Sequence, residues 1–307
     1  MIKSETHLCF RPVEIGDYDK LYPFTSEYGE GSCQHSPVTF CSLIEKYHDE
    51  FCINDNVLYI LRNGLCDDTY RVYLAPFTGT DLKTAFSVII EDAASYNKKA
   101  AFISLTEKNA KILDTSFQGQ FNIKENRDLA EYVYRCDMMA NYSGHSLSKR
   151  RQQVRAFWRT FGERAQIDII TEKDFEDILR FENDWLNQNI ETHDKIALER
   201  EERMIKSQFD HFFDLNLSGI VLRIDGIVRG FGYGTKLNDY YYDAIVEKGD
   251  YNILHIYKVL RQESVKRCAL DCRYVNLEED VGVEGLRKVK LSYKPEYLLR
   301  KFVAFQK

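Results

Sequence analysis

The order hairpin, helix, strand, polar break, helix occurs twice along this 307-residue chain, and that repetition limits the folds open to it more than any other feature. In the first half, Val57-Leu58-Tyr59-Ile60-Leu61 and Tyr70-Arg71-Val72-Tyr73-Leu74 read as strands joined through Asn63-Gly64 and a polar turn. Residues 81–97 then place Leu82, Ala85, Phe86, Ile89, Ile90 and Ala93 on one helical face. A strand is expected over 101–105, and helix resumes around 110–113 after Thr106-Glu107-Lys108. In the second half, 220–224 and 227–233 form a hairpin across Asp225-Gly226, residues that tolerate the positive φ of a tight turn. A Tyr-rich strand over 240–246 follows. A helix from about 253 to 267 turns Ile256, Val259, Leu260 and Val265 inward, and a strand over 274–277 leads to a last helix. Leu105-Thr106-Glu107-Lys108 stands where Leu277-Glu278-Glu279-Asp280 stands. The pattern reads as an α+β chain with an internal duplication.

Other segments fill in this frame. Residues 12–24 read as a short helix, and 28–36, rich in Gly and Ser, as a loop. Thr171-Glu172-Lys173-Asp174 resembles a capping box ahead of a helix over 175–186, and a long helix over 195–215 turns Ile205, Phe209, Phe212 and Phe213 inward. Hydrophobic residues make up 44% of the chain and aromatics 13%, enough for real cores. The formal charge of -6 excludes a broadly basic DNA-coating surface, so any nucleic-acid contact is local and no DNA partner is expected. The eight cysteines are scattered without a C-x-x-C pair, the histidines show no metal spacing, and no metal site is expected. No signal peptide or transmembrane segment is legible, so a cytoplasmic protein with reduced thiols is expected.

The densest chemistry lies in residues 274–295. Tyr274-Val275-Asn276-Leu277 reads as a strand, and Glu278, Glu279 and Asp280 follow at once. Asp280 suits a helix N-cap, and Leu286, Val289 and Tyr293 share a core-facing spacing up to Pro295. Arg287, Lys288 and Lys290 fall mostly off that stripe. A salt-bridged solvated helix is the plainer reading, but Gly282 and Gly285 each cost such a helix about 1 kcal/mol, which favours a close approach of something to the backbone.

Two weaker constellations accompany it. In residues 141–162, Ser148 is placed to cap a helix that stacks Arg151, Arg155 and Arg159 at i, i+4, i+8, a repulsive array that a phosphate would relieve. A solvated basic face explains it equally well. Glu247-Lys248-Gly249-Asp250-Tyr251 reads as a strand-to-helix turn able to offer amides to an anion, although no Walker motif is present. His255 reads as a core residue of the helix that follows, and Cys268 and Cys272 as structural thiols.

The run Asn276-Leu277-Glu278-Glu279-Asp280-Val281-Gly282-Val283-Glu284-Gly285-Leu286-Arg287-Lys288-Val289-Lys290-Leu291-Ser292-Tyr293-Lys294-Pro295 closely resembles the signature of the bacterial DUF2156 family, relatives of the catalytic C-terminal domain of phosphatidylglycerol lysyltransferase. Gly144-His145-Ser146-Leu147-Ser148-Lys149-Arg150-Arg151, residues 198–203 and Val246-Glu247-Lys248 fall in that family's order. The resemblance implies two tandem GNAT-like acyltransferase domains, each a mixed, largely antiparallel sheet flanked by helices. The expected division is 1–140, a basic connecting helix over 141–165, and 166–307 with the active cleft. It also implies acyl transfer, with aminoacyl-tRNA as co-substrate and no permanently bound cofactor, to a small-molecule or peptide acceptor bearing an amine or hydroxyl. Asn276, Glu278, Glu279, Asp280, Arg287, Lys290 and Tyr293 would then line the second-domain cleft. Lys149, Arg150 and Lys248 would meet phosphate, including the tRNA acceptor end. The family has Lys-Arg-Asn where this chain has Lys149-Arg150-Arg151, and the membrane-spanning part of the lipid-modifying relatives has no counterpart. In such an enzyme Glu279 or Asp280 is the expected base, Arg287 and Lys290 balance developing negative charge, and Tyr293 donates a hydrogen bond. Two alternatives stand beside it: an acyl-CoA-dependent N-acyltransferase, and a non-catalytic tRNA- or nucleotide-binding protein reading its ligand through Arg151, Arg155 and Arg159.

Overall fold

The computed structural model describes residues 8–189 and 195–307. They fall into two units: one formed by 8–131, 279–287 and 298–307, the other by 132–189, 195–278 and 288–297.

The first unit is built on β1 (Arg11–Pro12), α1 (Tyr18–Tyr28), α2 (Pro37–Ser42), α3 (Ile44–Tyr47), β2 (Asp49–Asn54), β3 (Val57–Arg62), β4 (Tyr70–Tyr73), α4 (Leu82–Ser95), β5 (Lys99–Leu105), α5 (Glu107–Ser116) and β6 (Phe121–Glu125). The hairpin of β2 and β3 turns at Asp55 and Asn56, both at positive φ. β2 is not legible in the sequence, because D-E-F-C-I-N lacks a clean apolar alternation. Asp81 and Thr106 cap α4 and α5 through their side chains. The core between helices and sheet gathers Tyr73, Phe86, Ile89, Phe102, Leu105 and Leu113.

The second unit continues with β7 (Glu131–Arg135), α6 (Cys136–Asn141), α7 (Ser148–Phe161), β8 (Ala165–Ile169), α8 (Phe175–Asn189), α9 (Lys195–Asp210), β9 (Leu217–Ile224), β10 (Ile227–Lys236), β11 (Tyr241–Gly249), α10 (Ile256–Cys268), β12 (Tyr274–Glu279), α11 (Glu284–Ser292) and β13 (Tyr297–Leu299). Asp225 and Gly226, at φ 54° and 80°, make the turn between β9 and β10. Thr171 and Asp174 form the expected capping box ahead of α8. Gly230 and Gly232 let α10 lie close on β10, since a Cβ there would stand 2.8 Å from a Leu260 methyl and 3.2 Å from the Ser264 hydroxyl.

The sheet orders show how far the duplication holds. The first sheet runs β1-β2-β3-β4-β5-β14-β6, where β14 is Phe302–Gln306, and the second runs β13-β7-β12-β11-β10-β9-β8. In each, three antiparallel strands lead through one helix to a parallel fourth: β2, β3, β4, α4, β5 and β9, β10, β11, α10, β12. Both fourth strands carry a left-handed residue near the end, Ser104 at φ 52° and Glu278 at φ 57°. The repeat is therefore real, but the first-half hairpin matches β10 and β11 rather than β9 and β10. The division is not the contiguous 1–140 and 166–307: β14 returns to the first sheet, 279–287 join the first unit, and the basic helix α7 belongs to the second. A strand that pairs between β5 and β6 gains two ladders of hydrogen bonds, and no local pattern announces that pairing.

Candidate functional site

In the second unit, β11 and β12 pair in parallel over Tyr241↔Tyr274, Tyr242↔Val275 and Asp243↔Asn276, and each then runs on for several residues. Where they part, α10 lies across the gap. Its Arg261 grips Glu247 of β11 with two hydrogen bonds, of 2.8 and 3.3 Å. The two side chains retain 16% and 18% of their exposure, so the pair borders a cleft without being sealed.

Cations outnumber acids around this pair. Arg150, near the start of α7, stacks on the Tyr293 ring at 4.8 Å and donates to the Ser292 hydroxyl at 2.8 Å. Arg261 stacks on the same ring at 4.7 Å. Lys258 lies one turn before Arg261 on α10, and Lys290 of α11 donates to the Leu277 carbonyl while standing 5.7 Å from the Tyr132 ring. Tyr142 and Tyr134 close the wall, donating at 2.8 Å to the carbonyls of Lys258 and Lys290. Arg150, Lys258 and Arg261 thus gather positive charge beside the Glu247 carboxylate, with Lys290 on the same wall. Burial raises the Glu247 pKa, opposed chiefly by Arg261. Burial lowers that of Lys258, reinforced by Arg150 and Arg261. A half-buried excess of positive charge is unfavourable until an anion offsets it.

Of the residues read from the sequence, Arg150, Lys290 and Tyr293 meet at this cleft; Tyr293 is buried and acts there as a stacking platform. Glu247, Lys258 and Arg261 have no local signal that marks them for the cleft. The two cations sit at i and i+3 on a helix whose apolar stripe dominates its pattern, and Glu247 gains its meaning only once the strand register places it opposite Arg261.

Several expectations need correction. Asp280 is fully buried and does not cap α11, which starts at Glu284; it accepts from Arg287 at 2.8 Å twice, from Arg127 at 3.3 Å and from the Gly282 amide at 2.9 Å. Asp280 and Arg287 therefore neutralise each other, with Asp128 as a further partner of the arginine at 2.7 Å. Asn276 is also fully buried, its carbonyl oxygen taking the Glu278 amide at 2.8 Å. Glu278 is half-buried at the left-handed end of β12. Leu286 and Val289 are exposed rather than core-facing, as is Phe213. Ser148 is the first residue of α7 and does not cap it. Arg151 holds the carbonyls of Tyr142 and Gly144, stabilising its own turn. Lys149, Arg155 and Arg159 are exposed along α7. His255 precedes α10 at φ 72° and is not a core helix residue.

Lys248 and Gly249 do not form a phosphate turn. Both belong to β11, and Gly249 is packed against Ile256 and Leu260. The Lys248 ammonium is buried over the Trp185 ring at 3.7 Å and paired with Glu201 at 2.8 Å and Glu182 at 3.2 Å. Burial pushes Glu182 from its ordinary 4.5 up to about 7, with Lys248 opposing and Glu201 and Glu202 adding to the rise. The folded state thus holds this proton more tightly than the unfolded chain. The stabilisation is complete below pH 4.5 and is lost as pH rises through about 7. Urea midpoints of the second unit are expected to fall over that window by about 1–3 kcal/mol of stability. Glu182→Gln flattens the slope; an unchanged slope in that variant removes the assignment.

The first unit holds a second polar network that its sequence conceals. The stretch 28–36, read as a loop, is almost wholly buried from Gly29 onward. Glu131 and Lys301 form an ion pair of 2.7 Å with neither side chain exposed, and Glu131 also accepts from the Ser32 hydroxyl at 2.7 Å and the Cys33 amide at 3.1 Å. Glu279 is half-buried, held by the Gln34 amide at 2.7 Å and the Cys33 thiol at 3.4 Å. Gln34 in turn meets Arg62, which is buried in a bidentate pair with Asp49 at 2.8 Å. Donor atoms of Cys33, Glu131 and Glu279 lie within 4.8 Å of one another. The Lys301 ammonium already supplies the positive charge there, so the set gives no reason to invoke a metal.

The model of the family described as phosphatidylglycerol lysyltransferase, C-terminal, matches residues 27–305. A conserved protein of unknown function from Bacteroides thetaiotaomicron is 26% identical, with a TM-score of 0.91 over 98% of this chain and 100% of its own. L-PGS from Bacillus licheniformis is 12% identical, with a TM-score of 0.64 over 95% and 92% of the two chains. FemX is 10% identical, with a TM-score of 0.54 over 94% and 96%. The two mixed sheets flanked by helices make a fold similar to that of FemX. Among the described residues no helix is long and apolar enough to cross a membrane.

Proposed function

Because the chain belongs to the phosphatidylglycerol lysyltransferase C-terminal family, a relationship that makes it an aminoacyl-type transferase by kinship, we propose that it moves an aminoacyl group from aminoacyl-tRNA to an amine or hydroxyl acceptor in the second-unit cleft. The observation that carries this reading is the excess of positive charge that Arg150, Lys258 and Arg261 make beside Glu247. Phosphates of an acceptor stem would offset that excess. The exposed Lys149, Arg155 and Arg159 extend positive charge along α7, on a chain whose net charge is -6.

Each group then has a task. Glu247, whose basicity burial raises, takes the proton of the attacking amine or hydroxyl, held in place by Arg261. The nucleophile bonds to the acyl carbon, and the ester bond to the ribose oxygen breaks. Arg150 and Lys290 stabilise the oxyanion that forms between these events. Lys258, made more acidic by burial and by its cationic neighbours, protonates the departing ribose oxygen. Glu279, oriented by Gln34 and Cys33, remains a separate candidate for proton transfer.

The test is fluorescence anisotropy with an aminoacylated RNA acceptor-stem minihelix. Affinity is expected to fall with salt, and the double variant Arg155→Ser/Arg159→Ser to lower the log–log slope by about 1–2, one for each phosphate that is no longer neutralised. Binding without salt dependence, or no transfer of radiolabelled amino acid to any amine or hydroxyl compound, overturns the reading.

A further inference from the structure

Beneath the Glu247–Arg261 pair, the parting of β11 and β12 leaves a narrow cavity of about 20 Å³. Its walls are apolar, from Ala244, Val246, Val275 and Leu277. Ser264 of α10 lines it with a hydroxyl that is sealed from solvent and has no hydrogen-bond partner among the described residues. Buried hydroxyls are nearly always satisfied, and an orphan one is destabilising unless something brings it a partner. The space is just past what one water-sized group requires. Gly232 fixes its depth, since a side chain there would reach the Ser264 oxygen at 3.2 Å.

We propose that this cavity is the side-chain pocket for the transferred aminoacyl group and that Ser264 selects a small side chain ending in a hydroxyl, making the seryl group the favoured cargo. The inference rests on the cleft being a transferase site. An aminoacyl carbonyl beside Glu247 and Arg261 directs its side chain into the cavity. Glycyl leaves the pocket empty and alanyl leaves Ser264 unpaired. Lysyl exceeds the volume severalfold. A seryl hydroxyl fills the space and completes the hydrogen bond.

Titrating the full chain with L-serinamide, L-alaninamide, glycinamide and L-lysinamide by isothermal calorimetry tests this. Serinamide is expected to bind about tenfold tighter than alaninamide, the worth of one neutral hydrogen bond. Ser264→Ala, checked for folding by circular dichroism, is expected to abolish that preference, and Ser264→Val to abolish binding of both. Equal affinity for all four amides, no binding of any, or a preference that survives Ser264→Ala overturns the assignment. Minihelix binding is measured in parallel. If it persists with its Arg155 and Arg159 dependence while the amides show no preference, the pocket assignment alone fails. If it is absent while serinamide is still preferred, the RNA reading fails and the pocket stands.

Discussion

Glu131→Ala is expected to destabilise the first unit by about 3–5 kcal/mol, the usual penalty for stranding one partner of a fully buried ion pair. The carboxylate and the Lys301 ammonium are both without exposure, so removing the acid leaves a buried cation without its ion-pair partner, hydrogen-bonded to the Ser32 hydroxyl. The Ser32 hydroxyl and Cys33 amide are deprived of their acceptor at the same time, which unpins the buried segment carrying Gln34. The double variant Glu131→Leu/Lys301→Met removes both charges and should recover most of the loss, because the desolvation penalty of the ions goes with them. Urea unfolding followed by circular dichroism measures both. A single variant within about 1 kcal/mol of the parent would mean that water reaches the pair.

Lys258→Gln is expected to reduce the transfer rate by about 10²–10³-fold, within the range that one general acid contributes. The substitution keeps length and polarity but deletes both the positive charge and the acidic proton. Because burial and its arginine neighbours lower the Lys258 pKa, the ammonium is lost at a lower pH than in a free lysine. Activity should therefore decline as pH rises through that lowered value, and this alkaline limb should vanish in Lys258→Gln. A merely structural lysine would shift stability and leave the limb in place. The same assay on Glu279→Gln decides whether that residue takes part, since full activity with retained folding would remove it.

These expectations show which features a sequence makes legible. The strands β3, β5, β9 and β10 and the helices α4, α8 and α10 lie close to where periodicity places them, because each has an apolar face with a clean repeat and a turn or cap at its end. The capping box at Thr171 and the Asp225-Gly226 turn are readable for the same reason. Residues 29–36 mislead, because small polar residues signal a loop whether or not the loop is buried, and burial here depends on Glu131 and Glu279, some 100 and 245 residues away. Lys248 misleads in a similar way. Its neighbours in the chain suggest an exposed turn, whereas its neighbours in space are Trp185, Glu182 and Glu201.

The candidate site divides along the same line. Arg150, Lys290 and Tyr293 are found because they stand within family-like runs of residues, whereas Lys258 and Arg261 lie outside such runs, and Glu247, though within Val246-Glu247-Lys248, meets them only through a strand register and a helix crossing. By itself the sequence determined the two-fold repeat, the α+β class and the supply of charge near the C-terminus, because these follow from local periodicity and composition. Only the tertiary structure decided which charges cancel and which remain for a ligand. Asp280 and Arg287 are partners and Lys248 is caged, while Arg150, Lys258 and Arg261 gather beside Glu247. That outcome is set by distances between residues far apart in the chain, and Coulomb energies depend on those distances and on the water excluded between them.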